Sequence, residues 1–66
     1  MRQFQLRVCK EANDLNEKLD KLKAFIEASG DELPRDEFYR LLTQRDIMKA
    51  YHSILSARIM EFTATP

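Results

Sequence analysis

The chain has 66 residues, with eleven basic and eleven acidic side chains and no net charge at neutral pH. Such a balance gives no global field to steer it toward nucleic acid or anionic lipid. One cysteine, one histidine and one glycine exclude an intrachain disulfide, a Cys/His zinc cluster and a glycine-rich phosphate loop.

The N-terminal stretch Met1-Arg2-Gln3-Phe4-Gln5 lacks the apolar centre of a signal peptide. No apolar run approaches the ~20 residues of a membrane span. With the lone Cys9, this gives a cytoplasmic expectation, with no membrane partner.

A first helix is expected over about residues 3–29. Val8, Ala12, Leu15, Leu19, Leu22 and Ile26 alternate steps of four and three, the 3.5-residue repeat of coiled-coil packing. Arg7/Glu11, Asp14/Lys18 and Glu17/Lys21 stand at i,i+4 as opposite charges, each adding roughly 0.2–0.5 kcal/mol to a helix. Ser29-Gly30-Asp31-Glu32-Leu33-Pro34 is the strongest break in the chain. Gly30 suits the left-handed position that ends a helix, and Asp31 is the expected N-cap of the next. Pro34 suits a first helical turn, with Glu32, Asp36 and Glu37 near the positive end of the dipole.

The loop is therefore placed at about 30–33, a second helix at about 34–62 and a frayed tail at 63–66. One domain covers residues 1–66. The fold class is all-α: an antiparallel two-helix hairpin. Its second helix carries an apolar face too broad for one partner. Leu41, Met48, Leu55 and Phe62 form one series, Ile47, Tyr51 and Ile54 an adjacent row, and Phe38, Leu42 and Ile59 widen it. A small core supplies roughly 3–5 kcal/mol, and large apolar patches mark interfaces. A homodimeric four-helix bundle, or a higher oligomer, follows. A monomer with an apolar surface is the alternative.

Polar residues interrupt that face. Gln44 lies between Leu41 and Met48, Arg58 lies between Leu55 and Phe62, and Tyr51 completes a seven-residue series with them. Gln44 and Arg58 can fix register across a dimer. The oligomer interface then comprises Leu41, Gln44, Ile47, Met48, Tyr51, Ile54, Leu55, Arg58 and Phe62. Alternatively, Tyr51 and Arg58 contact an anionic or aromatic ligand, because guanidinium grips carboxylate or phosphate as a fork.

An enzyme is not expected. Nucleophilic catalysis needs nucleophile, base and orienting group in mutual reach, and His52 and Ser53 are helix neighbours pointing about 100° apart. Cys9 reads as a small residue at the stripe's edge and His52 as a margin residue. No catalytic residue, metal ligand or cofactor is assigned. Arg35, Arg40, Arg45 and Lys49 form a basic cluster, but the chain lacks the basic excess usual for nucleic-acid binding.

The order Arg7-Val8, Leu15, Lys18-Leu19, Lys21-Leu22, Phe25-Ile26, Gln44, Met48, Tyr51, Leu55, Arg58-Ile59 resembles a group of short tailed-phage and prophage early-region proteins. The resemblance covers about residues 6–62. Lys-Leu-x-x-Phe-Ile followed by Gln-x-x-x-Met-x-x-Tyr is its more specific part. The chain is also similar to small hairpin proteins of the lambdoid exo–xis region, which implies stoichiometric binding of a host protein to redirect host physiology. More distantly, it resembles the hairpin domain of phage anti-defence sponges that sequester cyclic nucleotides. It lacks the tryptophan and the glycine-containing C-terminal motif associated with their pocket. Nucleotide sequestration and a Rop-type RNA-binding hairpin dimer are the alternatives to a host-protein target.

Overall fold

A computed structural model describes residues 1–64, apart from the side chain at position 63. Helix α1 spans Gln3–Ser29, a single 3-10 turn spans Gly30–Glu32, and helix α2 spans Arg35–Ala64. The two helices form an antiparallel hairpin, and no strand occurs among the described residues. Thr63 and Ala64, expected in the tail, still belong to α2; the rest of that tail lies outside the described residues.

Each helix end has a local cause. Arg2 is extended, and its N–H donates to the Gln5 side-chain oxygen at 2.8 Å, closing half of a capping box. At the turn, Gly30 departs from expectation. Its backbone is right-handed, at φ −56° and ψ −38°, and its N–H donates to the Ile26 carbonyl. Its lack of a side chain gives room to a ring instead: a Cβ here would stand 2.8 Å from Cε1 of Phe38, which would have to shift. Asp31 sits inside the 3-10 turn and does not cap α2. Helix α2 opens where the Pro34 carbonyl accepts the Phe38 N–H at 2.9 Å. Asp36 and Glu37 occupy its first turn, where the dipole favours negative charge.

The 3.5-residue step of α1 becomes the seam of the hairpin. Val8, Ala12, Leu15 and Leu19 are buried, and Leu22 and Ile26 are half-buried. From α2 comes Leu55, fully enclosed at 0% exposure, with Met48, Ile59 and Phe62 packed around the same cluster. Phe4 meets Phe62 edge to face, with centroids 5.7 Å apart, and closes the open end.

The seam is thin. The molecule measures 50 × 15 × 14 Å, with a radius of gyration of 15.0 Å, against about 11 Å for a compact chain of this length. Its accessible surface of 5266 Å² exceeds by about 900 Å² what a compact monomer of 7.8 kDa exposes.

The surface charges keep helical spacing but do not form the expected pairs. Asp14 is bound by Lys10 at 2.8 Å, not by Lys18, and the Tyr51 hydroxyl donates to Glu11. Among the described residues neither Arg7/Glu11 nor Glu17/Lys21 forms an ion pair. Exposed i,i+4 pairs are worth so little that a competing partner on the same or the neighbouring helix displaces them.

Candidate functional site

Helical periodicity puts Arg7, Glu11, Asp14 and Lys18 on one flank of α1, beside the seam, at steps of four, three and four. On the facing flank of α2, Ile47, Tyr51, Ile54 and Arg58 repeat the same steps. Along the α1 row, and reaching Tyr51 on α2, runs an open cleft of about 430 Å³, within the ~300–1,000 Å³ usual for small-molecule sites.

The cleft has a floor, an aromatic wall and a mixed-charge rim. Leu15, nearly buried, forms the floor, and Tyr51 forms the α2 wall. Arg7, Lys10, Glu11, Asp14 and Lys18 line the α1 side. The hydroxyl of Tyr51, hydrogen-bonded to Glu11, ties that wall across to α1. Lys10 is held above its ordinary pKa, first by its hydrogen bond to Asp14 and then by the Asp14 charge, so it stays protonated at neutral pH. Arg7 and Lys18 form no ion pair among the described residues. They are the cations left available to an incoming anion.

Of the two residues expected to touch a ligand, Tyr51 lines the cleft and Arg58 does not. The residues expected at an oligomer interface fall into two groups. Leu55, Met48 and Phe62 belong to the hairpin's own seam, and Leu41 is half-buried. Gln44, Ile47, Tyr51, Ile54 and Arg58 are exposed, with Ile47 at 64% and Ile54 at 58%. Gln44 donates to the Met48 sulfur at 3.8 Å, back toward the seam.

Two features escape the sequence reading. The α1 side of the cleft looks like a solvated charged face until Tyr51 is brought opposite it. His52 stands 3.5 Å from the Ser56 hydroxyl, one turn on, not from Ser53. Among the described residues, no carboxylate is bonded to that imidazole, and the pair lies outside both clefts. A second cleft, about 250 Å³, lies at the turn between Gly30, Asp31 and Phe38. The described residues contain no cluster of three or more His, Cys, Asp or Glu able to hold a metal ion, and no helix long and apolar enough to cross a membrane.

A family model described as Sequestin matches residues 2–61, and the chain belongs to that family. No curated protein and no solved structure matches it.

Proposed function

We propose that this Sequestin-family hairpin is a non-enzymatic sequestering protein, and that it captures a nucleotide in the cleft between its helices. The observation that carries this reading is the lining of that cleft: two unpaired cations, two carboxylates and a tyrosine ring around one apolar floor. A nucleotide presents the complement of each. Its phosphate suits the Arg7 fork and the Lys18 ammonium. Its base suits the face of Tyr51, as bases stack on aromatic side chains in single-strand binding. Its ribose hydroxyls and base N–H groups are donors for Glu11 and Asp14, which would repel a bare polyanion.

Held stoichiometrically, a signalling nucleotide is withdrawn without being destroyed. The family name supports that mode of action. The resemblance to phage proteins supports a role in an infected host cell, as an accessory protein acting against a nucleotide-based defence. No step requires a nucleophile, and the His52–Ser56 contact lies away from the cleft.

Calorimetric titration with a panel of cyclic and linear nucleotides tests the proposal. At least one nucleotide is expected to bind at a fixed stoichiometry, with its affinity reduced roughly tenfold to a hundredfold by Arg7→Ala, as for loss of a charge-assisted hydrogen bond. No heat from any nucleotide, or an affinity indifferent to Arg7→Ala, would defeat it.

A host-protein target is the second reading, favoured by the exposed row Ile47, Tyr51 and Ile54. RNA binding is less supported, because Arg40 is paired with Glu37 at 3.2 Å and Arg45 with Asp46 at 3.1 Å.

A further inference from the structure

We propose that Glu11 makes this cleft select ribonucleotides over 2′-deoxyribonucleotides, and that the Tyr51 hydroxyl positions Glu11 for that task. Both roles rest on the sequestration reading.

The two carboxylates of the cleft are not equivalent. Asp14 is held by Lys10 at 2.8 Å, so its charge is answered within α1. Glu11 belongs to no ion pair among the described residues. Its partner is neutral: the Tyr51 hydroxyl donates to Oε1 and leaves Oε2 open. An ionised carboxylate only accepts hydrogen bonds, with room for about four. A ligand that displaces water from Glu11 must therefore bring donors, or leave a charged acceptor unpaired. An anion without donors at that point is also repelled by it. The 2′- and 3′-hydroxyls of a ribose are two adjacent donors, and dinucleotide-binding folds use an acidic residue to hold the 2′-hydroxyl.

The order of groups along the cleft matches the order of parts in a nucleotide. Glu11 is bonded to Tyr51 on one side. On the other, Arg7 stands one turn away on the same flank of α1, about 6 Å along the axis at a rise of about 1.5 Å per residue. Aromatic ring, carboxylate and guanidinium thus follow one another as base, ribose and 5′-phosphate do. The path the other way, toward Lys18, passes Asp14, whose charge Lys10 already answers.

The Tyr51 hydroxyl keeps this order intact. Its bond spans 40 positions of sequence and draws the Glu11 carboxylate toward α2. Arg7 and Glu11 stand at i,i+4, where opposite charges favour pairing, yet they form no ion pair here. Released from Tyr51, Glu11 is free to turn back to Arg7, and one ion pair then occupies both the ribose acceptor and the phosphate fork. A tyrosine does here what a phenylalanine cannot, although either ring could carry a stacked base.

Calorimetric titration of the full chain tests this with the four ribonucleoside 5′-monophosphates, each beside its 2′-deoxy counterpart. A ribonucleotide is expected to bind roughly tenfold to a hundredfold more tightly than its deoxy form, as for one hydrogen bond to a charged group. Glu11→Ala should remove that preference. It should also strengthen binding of the deoxynucleotide, because the repulsion goes with the carboxylate. Tyr51→Phe should weaken the ribonucleotide and narrow the preference while keeping the ring. Adding Tyr51→Phe to Glu11→Ala should cost little more, since the two side chains act as one unit. A merely structural role lowers both nucleotides alike and leaves their ratio unmoved. Equal affinity of the parent for the two forms, or a preference that survives Glu11→Ala, overturns the selectivity and leaves sequestration standing. A preference left whole by Tyr51→Phe overturns the positioning role. No heat from any of the eight nucleotides defeats the sequestration reading and the selectivity together.

Discussion

Leu55→Ala is expected to unfold most of the hairpin in dilute solution. Leu55 has 0% of its surface exposed and meets Val8, Ala12 and Leu15 across the seam, so its removal opens a void that every buried residue of that cluster lines. Truncations of this kind cost about 2–5 kcal/mol, more where the surroundings cannot collapse. A core of this size supplies roughly 3–5 kcal/mol in all. The two quantities are comparable, which is why one methyl-bearing side chain decides the outcome. Circular dichroism should show the helical signal largely lost at room temperature and partly recovered at high protein concentration, where self-association adds stability. Lys23→Ala, on the exposed side of α1, serves as the control and should leave the melting curve within about 0.5 kcal/mol of the parent. An unaltered melting curve for Leu55→Ala would mean that the seam is not what holds the helices together.

Ile54→Glu acts on the other side of the same helix and should separate folding from assembly. Ile54 lies one position before Leu55, yet 58% of its surface is exposed. A carboxylate there is solvated in the isolated hairpin and costs the fold little. If a second hairpin covers this face as a four-helix bundle, the carboxylate is buried in the interface, twice per dimer by symmetry. Burying a charge without a partner is strongly unfavourable. A loss of only about 2 kcal/mol weakens association roughly thirtyfold. Sedimentation is therefore expected to report a dimer for the parent and a monomer for the variant. An unchanged mass would place the interface elsewhere.

This contrast between adjacent residues also marks how far the sequence could be read. The helices and their order were legible, because the steps Val8, Ala12, Leu15, Leu19 admit one repeat and Gly30 with Pro34 admits one break. The breadth of the α2 face was legible too, but its division was not. Which of Leu55 and Ile54 faces α1 depends on the rotation of α2 about its own axis, and that is set by partners distant in sequence. Gly30 shows the same limit. Its residue type suggested a left-handed end, whereas in the structure its missing Cβ leaves room for the ring of Phe38 across the turn. The cleft was half legible: Tyr51 stood out as a polar interruption of an apolar face. Arg7, Glu11, Asp14 and Lys18 did not, because neighbours at i,i+4 look self-sufficient until a second helix competes for them. Arg58, selected by the same reasoning as Tyr51, is not among the residues that line the cleft.

Capture without conversion is tested by recovering the captured molecule. The protein is incubated with a nucleotide that binds it, separated from free ligand, and then heat-denatured, and the released material is identified by mass spectrometry. The intact nucleotide is expected back in a fixed ratio to the protein, undiminished by long incubation. A nucleotide that returns cleaved or otherwise altered, with turnover beyond one per site, would contradict it.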